Sequence, residues 1–151
     1  MSSIIVCIDT TNASEMALRY ACYKAKTSGF TVQILAVIEA SYKNLPFAAK
    51  AIGNEKRKQL EDRIGKLIDT VCKETNITPA ISIREGDISA EIIHELKHNS
   101  DCKLIVFGKS NNSLSDNTVL PKIVGKIGNK IHVPITIVPE NLSDELLKSL
   151  V

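Results

Sequence analysis

Five short runs rich in aliphatic residues recur along the chain, and segments with helical spacing lie between them. The runs are Ile4–Ile8, Val32–Ile38, Ala80–Arg84, Lys103–Phe107 and Ile135–Val138. Most of them are continuous rather than alternating, which is typical of strands buried on both faces of a parallel sheet. Strands that alternate with helices favour an α/β fold. The pattern therefore predicts an open parallel five-stranded sheet with helices on both faces, in a single domain over residues 1–151.

The intervening segments carry start and stop signals for helices. Residues 13–28 place apolar side chains on successive turns and precede Gly29, a residue type that favours the left-handed conformation after a helix. Asn12 or Ser14 is expected to cap the start of this helix with its side chain. Further helices are predicted over residues 55–75, from Asp87 or Ser89 to His98, over 119–130 and over 142–151.

The loops that follow the strands are the places where a ligand is expected. In parallel sheets, ligands bind beyond the carboxyl ends of the strands, at the point where the strand order reverses. The loops concerned span residues 9–14, 38–53, 84–88 and 108–118. Residues 39–53 contain Pro46 and are predicted to form an irregular loop over the sheet.

Charge and composition argue against several functional classes. The 19 basic and 17 acidic residues give a net charge of +2, and aromatic residues make up only 4% of the chain. This balance, with few rings for base stacking, argues against nucleic-acid binding. No apolar stretch approaches the roughly 20 residues of a membrane helix, and no signal peptide is visible. The four cysteines form no C-x-x-C pair, so reduced thiols and a cytoplasmic location are expected.

Three segments, taken in order, resemble the universal stress protein family. The segment IIVCIDTTNASEMALRYACYKA resembles the family's first strand, which ends in Asp, and the helix that follows it. The segment REGDISAEIIHELKHNSDCKLIVFGKSN resembles the family's Gly-Asp, helix and Asp-x-x-apolar-Gly block. The segment VLPKIVGKIGNKIHVPITIVP resembles its closing helix and strand. The likeness covers residues 3–139 and leaves 140–151 as a C-terminal tail.

The resemblance implies a Rossmann-like sheet of the adenine nucleotide alpha hydrolase-like type, with strand order 3-2-1-4-5. This order places the loops after the first and fourth strands side by side. The resemblance also implies a homodimer built by antiparallel pairing of the fifth strands, here residues 134–138. The function that it implies is regulatory or protective rather than enzymatic.

The loop after the fourth strand departs from the pattern of the ATP-binding members of that family. In those members the loop reads Gly-x2-Gly-x9-Gly-Ser/Thr. This chain keeps the first glycine as Gly108, but Asn111 stands at the second position and Pro121 and Lys122 at the last two. Glycine lets the backbone approach phosphates and adopt positive φ, whereas proline removes a possible N–H donor. Weak or absent ATP binding is therefore predicted.

The resemblance also implies where a nucleotide would lie if one binds. Asp9 matches the family's aspartate near the nucleoside, and Thr10 follows it where the family has glycine. Val37 would contact the base through its backbone. The phosphates would face Gly108, Asn111 and Lys122. If a nucleotide binds, the cofactor that the resemblance implies is ATP with Mg²⁺, and no catalytic residue or resident metal ligand is assigned.

A second motif, His94-Glu95-Leu96-Lys97-His98, matches the H-E-x-x-H signature of zinc proteases. In that signature two histidines on one helix face bind zinc and the glutamate acts as base. The expected buried stripe of this helix comprises Ile88, Ile92, Ile93 and Leu96, and the two histidines point away from it at 100° per residue. Solvated side chains are therefore expected rather than a catalytic metal centre.

Two other functions remain open beside a regulatory binding module. One is a slow ATPase in the crevice between the loops after the first and fourth strands, where Asp116 is the only acid of the 108–118 loop. The other is a protein–protein interaction module. In that case the apolar side chains Leu146, Leu147 and Leu150 of the tail would dock on an unidentified partner or on the second subunit.

Overall fold

The computed structural model describes residues 1–39, 48–110 and 119–151. Strands and helices alternate along these residues, as the sequence predicts. They are β1 (Ser3–Cys7), α1 (Ala13–Ser28), β2 (Thr31–Glu39), α2 (Ala49–Thr75), β3 (Ala80–Gly86), α3 (Ile88–His98), β4 (Cys102–Lys109), α4 (Val119–Ile127), β5 (Ile135–Pro139) and α5 (Asp144–Ser149).

The five strands form one parallel sheet in the order β3-β2-β1-β4-β5, which confirms the predicted fold class. In the centre, Val6 of β1 lies opposite Ile34 of β2 on one side and Val106 of β4 on the other. The chain moves from β1 towards β3 and then returns to β4 on the other side of β1. The strand order therefore reverses at β1 and β4, and their carboxyl ends border the expected ligand crevice.

The helices pack on the two faces of the sheet. Helices α1 and α2 cover one face, where buried side chains include Ile4, Val6 and Ile34 together with the helical residues Leu18 and Ile64. We call this side the α1/α2 face. Helices α3 and α4 cover the other side, the α3/α4 face. Its core comprises Ile5, Leu35, Ile92, Cys102, Ile105, Phe107, Ile123 and Ile127.

Two details of the helix starts differ from the predictions. Asn12 occupies the N-cap position of α1, but its side chain makes no capping hydrogen bond. The hydroxyl of Ser14 bonds to Asp9 instead, so the predicted side-chain cap is wrong. The C-terminal prediction is confirmed, because Gly29 adopts the left-handed conformation with φ of 72°.

Helix α2 begins earlier than predicted. The segment 39–53 was expected to be irregular, but β2 extends to Glu39 and α2 starts at Ala49. Alanine is the best helix former, and Ile52 packs against the core of the α1/α2 face. Local propensity and tertiary contact therefore favour a helix at 49–53. Pro46 and the rest of 40–47 lie outside the described residues.

The tail folds back onto the α1/α2 face. Ser143 caps α5 by accepting a hydrogen bond from the backbone N–H of Leu146. Leu147 is fully buried in the core of this face, whereas Leu146 and Leu150 remain about half exposed. Leu147 therefore contributes to the chain's own core, and only the other two leucines retain the surface exposure that docking on a partner needs. None of the helices in the described parts of the chain is long and apolar enough to span a membrane.

Candidate functional site

The loop between β1 and α1 holds the carboxylate of Asp9 in a fixed position. Its Oδ1 accepts hydrogen bonds from the backbone N–H of Thr11 at 2.8 Å, the hydroxyl of Thr11 at 2.6 Å and the hydroxyl of Ser14 at 2.9 Å. Ser14 also accepts a bond of 2.9 Å from the backbone N–H of Asp9. Within the described residues Oδ2 has no hydrogen-bond partner. The loop thus orients the carboxylate and leaves one oxygen available to a ligand.

Ser14 was not predicted as a site residue. Its hydroxyl is buried, and the residue is only 3% exposed. In the sequence, a serine five residues after Asp9 suggests only a helix cap. Its hydrogen bonds to Asp9 become visible only in the structure. Because the hydroxyl both donates to Asp9 and accepts from it, Ser14 is a positioning residue for the carboxylate.

A cavity of about 90 Å³ adjoins Asp9 on the α3/α4 face. The side chains of Asp9, Thr11 and Ser14 provide its polar lining. The rest of the lining is mainly apolar and includes Cys7, Leu35, Val37, Ile88, Ile92, Phe107, Leu120 and Ile123. An apolar cavity with a few convergent polar groups is the usual form of a small-molecule site. The strand-end position agrees with the expectation for parallel sheets.

A second pocket, of about 260 Å³, lies on the α2 side of the same strand ends. Asp9 and Val37 border both pockets, and Thr10 borders this second one. Its remaining lining comes from the end of β2 and from α2, with Ile38, Glu39, Lys56, Gln59 and Leu60. The structure therefore brings together three of the predicted site residues, Asp9, Thr10 and Val37, at the ends of β1 and β2.

Gly108 lies at the end of β4 and also lines the cavity. A Cβ atom at this position would stand 2.5 Å from the backbone oxygen of Ala13 in α1. Such a separation is shorter than real Cβ contacts, so only glycine lets the start of α1 approach β4 this closely. Gly108 thus has a packing role that sequence reasoning, which considered only phosphates, missed.

The other two predicted phosphate-side residues, Asn111 and Lys122, lie wholly or partly outside the described residues. Asn111 lies outside the described residues, as does Asp116. Lys122 falls in the first turn of α4, and its side chain lies outside the described part of the chain. The resemblance to the family therefore remains the only basis for their predicted roles.

Burial keeps three of the four cysteines, Cys7, Cys22 and Cys102, as neutral thiols. All four are free. Burial raises the pKa of Cys22 to about 12, and burial also raises the pKa values of Cys7 and Cys102. Because the thiolate is the reactive form, Cys7 is a poor nucleophile although it lines the cavity.

The H-E-x-x-H motif does not form a protease site. Glu95 is 7% exposed and faces the sheet. Its Oε1 accepts a hydrogen bond from Gln33, and its Oε2 accepts one of 2.9 Å from Arg84 Nε. His94 and His98 are exposed on the outer side of α3. The glutamate that would act as base is therefore buried and already bonded to two strand residues, whereas the two histidines face solvent.

The family of the chain follows from comparison with known proteins. A model of the universal stress protein family matches residues 1–139, so the chain belongs to the universal stress protein family. The match confirms the resemblance read from the sequence. No curated protein matches the chain.

Solved structures agree on the fold. Universal stress protein UspA from Lactobacillus plantarum superposes with a TM-score of 0.75 at 15% identity, covering 91% of this chain and 97% of its own. The Archaeoglobus fulgidus universal stress protein in complex with dAMP gives 0.66 at 12% identity, with coverage of 91% and 98%. A universal stress protein family member from Burkholderia pseudomallei gives 0.61 at 17%, with coverage of 91% and 96%.

Proposed function

We propose that this protein is a cytoplasmic, single-domain, non-enzymatic binding module with a regulatory or protective role. It takes an adenine nucleotide through the nucleoside half, and it retains the triphosphate weakly or not at all. The observation that carries the proposal is the oriented carboxylate of Asp9 beside an apolar cavity. One of its oxygens is held by three donors, and the other is available for a sugar hydroxyl.

The composition of the cavity supports this division between nucleoside and phosphate. Its described lining contains no lysine, arginine or histidine, and its single charged group is the carboxylate of Asp9. A carboxylate accepts bonds from neutral hydroxyls but repels phosphate. The relative from Archaeoglobus fulgidus that was solved with dAMP adds support for a nucleotide of this kind.

The first experiment is thermal unfolding with millimolar adenosine, AMP or Mg-ATP, with Mg-GTP as the control for the base. A ligand present at 100 times its Kd stabilises by about 2.7 kcal/mol, which raises the melting temperature by several degrees. We expect AMP to stabilise at least as much as Mg-ATP. No shift with any of the four ligands at millimolar concentration would contradict nucleotide binding, and a shift with Mg-ATP alone would favour the ATP-binding alternative.

Variants test whether the ligand-induced rise in melting temperature comes from binding in the crevice. Asp9→Asn should remove it, because an amide presents a donor in place of a carboxylate oxygen. The matched control is Asp69→Asn, on the exposed side of α2. Ile123→Phe fills the cavity on the α3/α4 face, whereas Gln59→Phe fills the second pocket on the α2 side. Loss of binding with only one of them identifies the pocket that holds the base.

Absence of catalysis is a separate part of the proposal. In the described lining of the cavity, the only acidic side chain is that of Asp9, and its neighbours already hold one of its oxygens. Phosphate release from Mg-ATP should therefore remain at the level of buffer over many hours. Release that Asp116→Asn abolishes and Asp69→Asn leaves unchanged would support the slow ATPase instead.

The proposal includes a homodimer through residues 134–138. Among the described residues, β5 lies at the edge of the sheet and pairs only with β4. Pro134 O and Glu140 N–H bond to β4, so by the two-residue alternation the backbone groups of Ile135 and Ile137 face outwards. The side chain of Ile137 is 43% exposed. An unpaired edge with an exposed isoleucine favours pairing with a second copy.

Light scattering coupled to size exclusion tests the dimer. The unmodified chain should have twice the mass of 16.5 kDa. Ile137→Pro removes one outward-facing N–H and Ile137→Lys places a charge in the contact, so both should yield monomers with native circular dichroism. The control Ile137→Val should stay dimeric. A monomeric wild type would refute this part of the proposal without affecting nucleotide binding.

A further inference from the structure

The outer side of α3 carries a pair of histidines that neither the fold nor the crevice uses. His94 and His98 are four residues apart, and both are exposed. Their ring centroids lie 4.2 Å apart, with an angle of 36° between the ring planes. Residues at i and i+4 of a helix share one face, and this spacing is the one through which helical histidines hold a single metal ion.

A hydrogen bond fixes the chemistry of the second ring. His98 Nδ1 lies 2.8 Å from the backbone oxygen of His94. A carbonyl oxygen can only accept, so Nδ1 must carry the proton. In the neutral ring the lone pair is then on Nε2, which is the form that binds metals. Donation from the other ring nitrogen to a backbone carbonyl is also the usual support for a metal-binding histidine.

The position along the helix favours a cation. His98 is the last residue of α3, an 11-residue helix. The last turn of a helix carries the negative end of its dipole, which stabilises positive charge there. Within the described part of the chain, no group of three or more His, Cys, Asp or Glu side chains could hold a metal. An ion bound here would therefore take two ligands from the protein and complete its coordination with water.

We propose that His94 and His98 form a two-imidazole surface site for a divalent transition ion of the Ni²⁺, Cu²⁺ and Zn²⁺ class. The ion links two successive turns at the end of α3. The site is not catalytic, since Glu95 faces the sheet and is bonded to Gln33 and Arg84. Imidazole ligands suit these three ions, with Cu²⁺ bound more tightly than Ni²⁺ or Zn²⁺.

Isothermal titration of the full chain, without an affinity tag and under a non-thiol reductant, tests the site with Ni²⁺. We expect one ion per chain. The variants His94→Asn and His98→Asn should each weaken binding at least tenfold. The chain has only three histidines, so His132→Asn is the matched control and should bind as the wild type does. Unchanged Ni²⁺ affinity in either of the first two variants would overturn the proposal.

The double variant His94→Asn/His98→Asn separates a chelate from two independent ligands. In a chelate, each single variant keeps one imidazole that binds the ion only weakly, so the second substitution should cost much less affinity than the first. Losses that add would mean two separate rings and would overturn the proposal. Substoichiometric Cu²⁺ should also broaden the amide NMR signals around residues 94–98 and spare those around His132. Broadening confined to His132 or to the cysteines would contradict the site.

Discussion

The two faces of the sheet use their side chains in different ways. On the α1/α2 face, two long helices and Leu147 of the tail cover the strands, and Ile4, Val6 and Ile34 are fully buried. On the α3/α4 face, shorter helices cover the strands and leave a cavity beside Asp9. The α1/α2 face thus has its pocket at the strand ends, beside Glu39 and Gln59, whereas the cavity of the α3/α4 face reaches the core residues Ile92 and Ile123.

Polar networks hold the outer helices in place on both sides. On the α1/α2 face, Arg19 binds Glu74 of α2 and Asp144 of α5. On the α3/α4 face, Glu95 of α3 receives hydrogen bonds from Arg84 and Gln33 of the strands beneath it. The first network joins helices to one another, whereas the second joins a helix to the sheet. The second network therefore fixes the distance between α3 and the sheet. Ile88 and Ile92 of α3 form one wall of the cavity, so the network also holds that wall in place.

The largest expected difference between the faces comes from neighbouring residues of β2. Ile34 points to the α1/α2 face and Leu35 to the cavity side, and they are 0% and 1% exposed. Truncation of a buried aliphatic side chain costs about 2–5 kcal/mol. We expect Ile34→Ala to cost about 4 kcal/mol in urea unfolding and Leu35→Ala about 2 kcal/mol, since the cavity already deprives Leu35 of some contacts. Equal costs would mean that the cavity side is packed as tightly as the other.

The next largest loss of stability is expected at Gly108, where the start of α1 approaches β4 closely. Gly108→Ala would force its Cβ against the backbone oxygen of Ala13, and overpacking of this kind costs about 1–3 kcal/mol. The matched control is Gly65→Ala in α2, where a Cβ meets nothing within 4 Å. That control should stabilise by up to about 1 kcal/mol, because alanine is the better helix former. Urea unfolding of both variants at pH 7 measures the contrast. A fully stable Gly108→Ala protein would argue against the packing role.

The network on the α1/α2 face predicts a pH dependence. Hydrogen bonds from Arg19, together with one from Tyr23, hold the pKa of Glu74 below its usual range. The ionised form therefore stabilises the fold above the unfolded pKa of about 4.3, and this stabilisation is lost as the pH falls through the lower folded value. Glu74→Gln should cost about 1–2 kcal/mol at pH 7 and nothing near pH 2.

Urea unfolding between pH 2 and pH 7 measures this effect. The control is Glu145→Gln, an exposed residue of α5, and its stability should follow that of the wild type at every pH. If the difference in the free energy of unfolding between Glu74→Gln and the wild type stays constant down to pH 2, then the shape of the side chain rather than its charge explains the loss of stability.

The smallest expected effect comes from Ser14, whose hydroxyl bonds to Asp9, the carboxylate that borders the pockets of both faces. Ser14→Ala removes a buried hydroxyl that binds Asp9 and should cost about 1 kcal/mol in stability. If Ser14 positions the carboxylate, nucleotide affinity should fall more than stability does. Ser149→Ala removes an exposed hydroxyl that bonds within α5 and should alter stability by less than about 0.5 kcal/mol. Unchanged nucleotide affinity in a folded Ser14→Ala protein would remove the positioning role.

Much of the fold could be read from local patterns. The aliphatic runs predicted all five strands, and Gly29 marked the end of α1 because its left-handed conformation is local. The start of α2 was missed, since Pro46 suggested a loop and the contact of Ile52 with the core is visible only in three dimensions. Glu95 was also missed as a buried residue. Its neighbours along the chain give no sign of the partners on β2 and β3 that hydrogen-bond to it, Gln33 and the cationic Arg84.

The sequence by itself determined the alternation of strands and helices, the parallel sheet and the family, because these depend on periodicity and on short motifs read in order. It also placed Asp9 and Val37 at strand ends. Only the tertiary structure decided what these residues meet. The orientation of Asp9 depends on Ser14 in the next helix, and the need for glycine at position 108 depends on the backbone of Ala13. Such contacts join residues that are distant in sequence or separated by a turn, and their geometry exists only once the helices have packed on the sheet.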